Sequence, residues 1–300
     1  MLPWLMPYQV QLTTLVTKSN LAHAILFTGP EGVGKTKLAD WLIANLLCTN
    51  SDIQHNPCQQ CKSCLLRKAG NHADLLIIDA SSSSIGVDAV RQITRFMQST
   101  AQQQHKKVVL LANAERLTEA AANALLKTLE EPPENGYLIL LSAYSARLSA
   151  TLLSRLQAWP LPAQFDQNAA QWLAQHSNRV VPDFLLSYCS GGPLKALDLL
   201  ESGKADAIQL SLSSLEHYFF GEQSQQETVK QLLATEQVAG ILGFYLRKTF
   251  MPQLLQLNAE RIPLAHQYYI RWCRDEQQIL GQNKSLALSG LLTDLRRLCL

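Results

Sequence analysis

The stretch GPEGVGKT, Gly29 to Thr36, narrows the possible folds more than any other part of this 300-residue chain. It has the phosphate-loop pattern Gly-x-x-x-x-Gly-Lys-Thr, preceded by an apolar run, His23–Thr28 (HAILFT), and followed by a helix-like segment, Lys35–Leu47. Gly29 and Gly34 let the backbone turn its N–H groups inward as a nest for phosphate oxygens, and Gly32 between them is a further candidate for binding the nucleotide. The start of the following helix adds its positive dipole end. Lys35 is placed to reach the β- and γ-phosphates of ATP or ADP, and the Thr36 hydroxyl to ligate Mg²⁺. A strand must deliver such a loop and a helix must take it away, which predicts an α/β architecture for the N-terminal part.

The surrounding pattern fits that prediction. A helix is expected over Pro7–Lys18, and strands at Asp74–Asp79, Lys107–Ala112, Tyr137–Ser142 and Leu156–Leu161. Between them, helical patterns cover Val87–Ala101, after the serine-rich turn SSSSIG, and Thr118–Glu131, which Pro132–Pro133 stops. Strands alternating with helices predict a parallel sheet covered on both faces. After Pro162 the strand runs vanish. Phe165–Leu200 reads as a small helical unit interrupted at Gly191–Gly192–Pro193, and from about Ala205 to Leu300 the chain is helix-like and rich in Leu and Gln. The expected organisation is an α/β domain over 1–162, a small helical domain over 163–204 and a longer helical domain over 205–300.

No apolar run approaches the roughly 20 residues of a membrane span. The N-terminus, MLPWLMPYQVQL, lacks the basic region and cleavage site of a secretory signal. A soluble, cytoplasmic protein without membrane contact is expected. With 26 basic against 24 acidic residues, net charge +2, the chain lacks the basic excess of a self-standing nucleic-acid binder.

Four of the seven cysteines crowd into one segment: Cys48, Cys58, Cys61 and Cys64, spaced C-x₉-C-x₂-C-x₂-C. Without a secretory signal, such clustering argues for metal rather than disulfides. Four thiolates suit a closed, tetrahedral, structural Zn²⁺ site. An iron–sulfur cluster is the rival, but the fourth cysteine of a ferredoxin run is missing from Leu65–Lys68. Cys189, Cys273 and Cys299 are scattered and read as small apolar residues.

Hydrolysis asks for more than a phosphate loop. An acid at the end of a neighbouring strand must hold Mg²⁺, and usually a second one activates water. After the strand at Lys107–Leu111 this chain has Ala112–Asn113. Alanine cannot ligate a metal, and asparagine cannot accept a proton. Glu115 lies two residues beyond the strand, and Asp79 ends another strand, where a lone Asp reads more simply as a turn or capping residue. The sequence therefore predicts nucleotide binding with little or no cleavage. The alternative is an autonomous ATPase that uses Asp79 or Glu115.

Taken in order, GPEGVGKT, the four-cysteine insert, GVDAVR (Gly86–Arg91), AANALLKTLEEPPE (Ala121–Glu134) and TLLSR (Thr151–Arg155) resemble the clamp-loader subunits of bacterial DNA polymerase III, which are AAA+ proteins. The resemblance covers about the first 200 residues. It implies an AAA+ core with a zinc module, a helical lid and a helical collar that joins a hetero-pentamer with gamma/tau and delta subunits, acting on the sliding clamp and primer-template DNA. Motor subunits of the family, gamma or tau, keep an Asp-Glu pair after the third strand and an arginine where this chain has Leu194. A non-hydrolysing kind lacks a working ATP site but retains the zinc module and a Ser-Arg-Cys finger, and this chain is similar to that kind. The resemblance carries a finger role in trans to Arg155 and a supporting role to Ser154, with Leu156 in place of the usual cysteine. It also places Ser142 near the polar sensor position that ends the fourth strand.

Overall fold

The computed structural model describes residues 2–50, 56–79, 84–103, 106–279 and 281–299. Residues 81–83 of the serine-rich turn lie outside them. The chain forms two compact units, Met1–Leu197 and Asp198–Leu300.

In the first unit, helix α1 (Met6–Thr17) leads to strand β1 (Ala24–Thr28) and, through the phosphate loop, to α2 (Lys35–Leu47). There follow α3 (Lys62–Lys68), β2 (Leu75–Ile78), α4 (Val87–Gln98), β3 (Lys107–Leu111), α5 (Glu119–Glu130), β4 (Gly136–Ser142), α6 (Ala150–Leu153) and β5 (Gln157–Pro160). The strands form one parallel sheet in the order β2-β3-β4-β1-β5. Leu26, Val109, Leu111, Leu138 and Leu140 project from one face into a core shared with Val90, Ile93 and Met97 of α4 and Ala121, Leu125 and Leu129 of α5. On β1, β3 and β4 the intervening residues, among them Ile25, Phe27, Val108 and Ile139, are equally buried. These strands lack polar alternation because both faces are covered.

Helix α4 stops at Gln98, three residues short of the sequence expectation. The buried Lys107 ammonium takes the carbonyl of Phe96 at 2.8 Å and the Ser99 hydroxyl at 2.5 Å. The buried Asp74 carboxylate then accepts the N–H groups of Gln102 and Gln103, both at 2.8 Å. A cation at a helix C-terminus is favourable, and the two N–H bonds draw the chain away from its helical path.

Helices α7 (Gln167–His176), α8 (Asp183–Tyr188) and α9 (Pro193–Glu201) follow the sheet. The second unit is all helical: α10 (Lys204–Phe220), α11 (Gln225–Leu233), α12 (Val238–Tyr245), α13 (Met251–Leu257), α14 (Ile262–Gln278) and α15 (Lys284–Arg297). A wider π turn, Leu246–Phe250, joins α12 to α13. No helix among the described residues is long and apolar enough to cross a membrane.

Candidate functional site: a phosphate loop and a cysteine cluster

The loop leaves the carboxyl end of β1 in the conformation its glycines predict. Gly29, Gly32 and Gly34 have φ of 143°, 77° and 108°, a region L side chains avoid. A Cβ on Gly34 would also meet Leu2 Cδ1 at 2.8 Å. Among the described residues, neither the Gly32 nor the Gly34 amide finds an acceptor, which leaves both free to receive phosphate oxygens. Lys35 Nζ donates to the loop's own carbonyls, Gly29 O at 2.6 Å and Pro30 O at 2.9 Å. Burial pulls its pKa down, against the pull of the nearby Glu115 and Glu31 carboxylates.

The loop is braced from both sides. The Trp4 indole N–H donates to Val33 O at 2.7 Å. The start of α9 docks on the other side, with Leu194 N–H on Gly32 O at 2.9 Å and Lys195 Nζ on Glu31 Oε2 at 2.5 Å. The position where motor subunits were expected to carry arginine thus presents an apolar side chain and uses its backbone. Ser142, at the end of β4, is buried; its carbonyl accepts Gly29 N–H at 3.3 Å and its hydroxyl accepts Tyr144 N–H at 3.1 Å.

A cavity of about 360 Å³ opens beside the loop, lined by Lys35, Thr36, Asp40, Asp79, Ala112 and Asn113. The β3 tip expected to lack acids does stand opposite Lys35 and Thr36. Among the described residues Asp79 has a partner on the neighbouring strand: its Oδ1 accepts Asn113 Nδ2 at 3.0 Å. Sequence reasoning named Asp79 but missed this pairing, which the parallel contact of β2 and β3 creates. Glu115 does not line the cavity; its Oε1 accepts Ala143 N–H at 3.2 Å, and its buried Oε2 has no partner among the described residues.

The cysteine cluster grows out of the end of α2. Cys48 follows that helix, Cys61 caps α3, and Cys64 lies in its first turn. The four sulfurs lie within 4.8 Å of one another. Zn–S bonds of about 2.3 Å make a tetrahedron with edges of about 3.8 Å, so the donor set fits zinc, and the cluster can hold such an ion. Backbone N–H groups of Cys58, Cys61 and Cys64 point at the sulfurs of Cys48, Cys58 and Cys61, at 3.3, 3.3 and 3.4 Å. Burial raises the Cys61 pKa, but hydrogen bonds from Thr49 and from Cys64 N–H outweigh it and bring the thiol to about 5; burial pushes Cys64 to about 12. A buried relay that sequence reasoning missed ties the module to the sheet: Ser63 Oγ donates to Leu47 O at 2.5 Å and meets His72 Nε2 at 2.7 Å, while His72 Nδ1 accepts Asp74 N–H at 3.1 Å. The His-x-Asp spacing just before β2 was its only trace in the sequence.

Arg155 follows α6 and is not among the residues lining the cavity beside this chain's loop. Its Nη1 donates to Thr151 O at 2.9 Å and to Ser154 Oγ at 3.2 Å.

The sheet order, phosphate loop, cysteine module and trailing helices together define the class: an AAA+ protein. The family described as "DNA polymerase III, delta subunit" matches residues 8–165. The DNA polymerase III subunit delta′ of Haemophilus influenzae is 40% identical over 204 residues, covering 67% of this chain and 62% of that protein. The subunit of the same name from Yersinia pestis is 34% identical over 320 residues, covering 97% and 94%. A solved Thermotoga maritima protein related to the gamma subunit is 17% identical, with a TM-score of 0.48 and coverage of 96% and 99%. The chain belongs to the delta′ family of DNA polymerase III subunits.

Proposed function

We propose that this chain serves in the cytoplasm as the delta′ subunit of the DNA polymerase III clamp loader, hydrolysing little ATP or none. Its AAA+ core (1–162), lid (163–204) and collar (205–300) take a place in a hetero-pentamer with gamma/tau and delta subunits. There the chain braces the ring and offers Arg155, backed by Ser154, to the ATP site of an adjacent motor subunit. Closure of the motor sites then places the sliding clamp on primed DNA. The cysteine module holds a structural zinc ion. Gly29, Gly32, Gly34, Lys35 and Thr36 would hold a nucleotide with Mg²⁺, whose cation neutralises phosphate charge.

The observation that carries this reading is the β3 tip, where Ala112 and Asn113 face the loop with neither a metal-binding acid nor a base. Loss of a general base alone costs about 10²–10⁴ in rate. An arginine presented to a neighbour stabilises transition-state charge and needs no acid of its own. The rival, an autonomous ATPase, is weakened because Glu115 spends one oxygen on a backbone N–H and stands outside the cavity lining.

Phosphate release by the purified chain tests the first part; turnover near about 1 s⁻¹, the low end for ordinary enzymes, sinks it. Reconstitution with Arg155→Ala tests the second. A complex that assembles and hydrolyses ATP at the wild-type rate removes the role in trans.

A further inference from the structure

We propose that Asp79 is the acid that meets the divalent cation of a bound nucleotide, and that Asn113 positions it. The proposal rests on nucleotide binding by the phosphate loop and is independent of the role given to Arg155.

The sheet brings the two residues together. β2 and β3 pair in parallel with Ile78 opposite Leu111, and Ala112 N–H continues the ladder to Ile78 O at 2.9 Å. The residues that follow the two strands therefore emerge side by side at the carboxyl edge, where ligands of open α/β sheets bind. Asn113 adopts the left-handed conformation, φ 54° and ψ 47°, which asparagine tolerates better than most residues. From there its Nδ2 reaches Asp79 Oδ1 at 3.0 Å. A carboxylate and an amide stand on adjacent strand tips, with the carboxylate on β2 and the amide on β3.

Both residues line the cavity that Lys35 and Thr36 enter from the loop side. Three carboxylates border that space, and of these Asp79 alone stands at a strand tip. Glu31 pairs with Lys195 at 2.5 Å. Asp40 lies in the second turn of α2, exposed, where desolvation raises its pKa against the pull of Arg67 and Lys37. Asp79 is exposed, and its bond to Asn113 engages Oδ1 alone. Mg²⁺ takes oxygen ligands, usually one or two carboxylates together with phosphates and waters. Asp79 and the Thr36 hydroxyl supply that donor set. The amide donor fixes Oδ1 in place, so the arrangement orients the carboxylate toward a cation.

The test uses the full-length chain, a fluorescent ATP analogue, and titrations in MgCl₂ or EDTA. The wild-type chain is expected to bind the analogue more tightly in Mg²⁺. Asp79→Asn should remove that gain, a loss of about tenfold or more, and leave affinity in EDTA unchanged. Asn113→Ala should remove part of the gain. Mn²⁺ electron paramagnetic resonance should show a nucleotide-dependent bound ion in the wild type and none in Asp79→Asn. An undiminished Mg²⁺ gain in Asp79→Asn overturns the proposal, as does a wild-type chain whose binding ignores Mg²⁺ or that binds no nucleotide. An unaltered Mg²⁺ response in Asn113→Ala overturns the positioning role. None of these results alters the turnover of a reconstituted complex carrying Arg155→Ala, so this inference and the finger role fail separately.

Discussion

The guanidinium of Arg155 lies against the carboxylate of Glu130, with Nε at 2.9 Å and Nη2 at 2.6 Å from the same oxygen, Oε1. Glu130 is the last residue of α5, inside the ALLKTLEEPP stretch, which on sequence alone is an amphipathic helix ending at a proline pair. The pairing gives that stretch a defined contact, in which its carboxylate holds the arginine side chain. Both side chains keep substantial exposure, 36% and 52%, so the pair contributes at most about 1 kcal/mol. It is weak enough for a phosphate from another subunit to displace the carboxylate.

Arg155→Ala is accordingly expected to leave the complex assembled and to lower turnover at the site it reaches by about 10³–10⁵. The measurement is ATP hydrolysis by reconstituted complexes whose remaining motor sites are disabled. Glu130→Gln should shift the stability of the isolated chain by less than about 1 kcal/mol, read from denaturant titration.

The cysteine cluster predicts one zinc ion per chain by elemental analysis, and none after Cys61→Ala. Thiolate ligands must lose their protons to bind metal, so affinity falls as pH falls. Burial raises both Cys48 and Cys64, which enter the site as thiols at neutral pH. Zinc added to the metal-free chain in weak buffer should therefore acidify the solution. Absence of proton release would contradict this donor set.

His72 predicts an acid limb of stability. Its Nδ1 accepts Asp74 N–H, so the ring proton sits on Nε2 and points at the Ser63 hydroxyl. Burial lowers its pKa in the fold, whereas the unfolded chain titrates near about 6.5. Between the lowered folded pKa and about 6.5 the unfolded state binds more protons, so stability is lost as pH falls from about 6.5 toward the folded pKa. Denaturant midpoints between pH 7 and pH 5 should fall in the wild type and flatten in His72→Gln, with zinc content checked at each pH. At pH 7 the substitution should cost about 1–3 kcal/mol, because buried partners are left unpaired.

How much of this was legible follows from the range of each interaction. Lys35–Leu47 is legible to the residue and the strand expected over Lys107–Ala112 to within one, since glycines and a change of period mark their ends within a few positions. The acid-free β3 tip was legible for the same reason. Strand order was not, because nothing local records that β4 lies between β1 and β3. Asp79 reads as a capping residue in the sequence because its partner lies 34 positions away. Glu130 and Arg155 are 25 apart, and Glu31 and Lys195 are 164 apart. The π turn at Leu246–Phe250 left no mark in a run of uniformly helical residues.

The contact between the phosphate loop and α9 supplies the last prediction. A Cβ on Gly192 would lie 1.9 Å from Glu31 O, and one on Gly32 would lie 2.4 Å from Lys195 N. Two backbones approach here as closely as the absence of side chains allows, and Leu194 N–H closes the gap to Gly32 O. Gly192→Ala must push α9 off the loop, at a cost of about 1–3 kcal/mol. Gly290, inside α15, meets nothing within 4 Å, and Gly290→Ala should stabilise by about 0.5–1 kcal/mol through helix propensity. The same chemical change thus has opposite signs at two sites, read as shifts of the denaturation midpoint at unchanged slope. Amide exchange at Leu194 should quicken in Gly192→Ala and stay unaltered in Gly290→Ala. If both variants keep Leu194 equally protected, the loop does not depend on this contact.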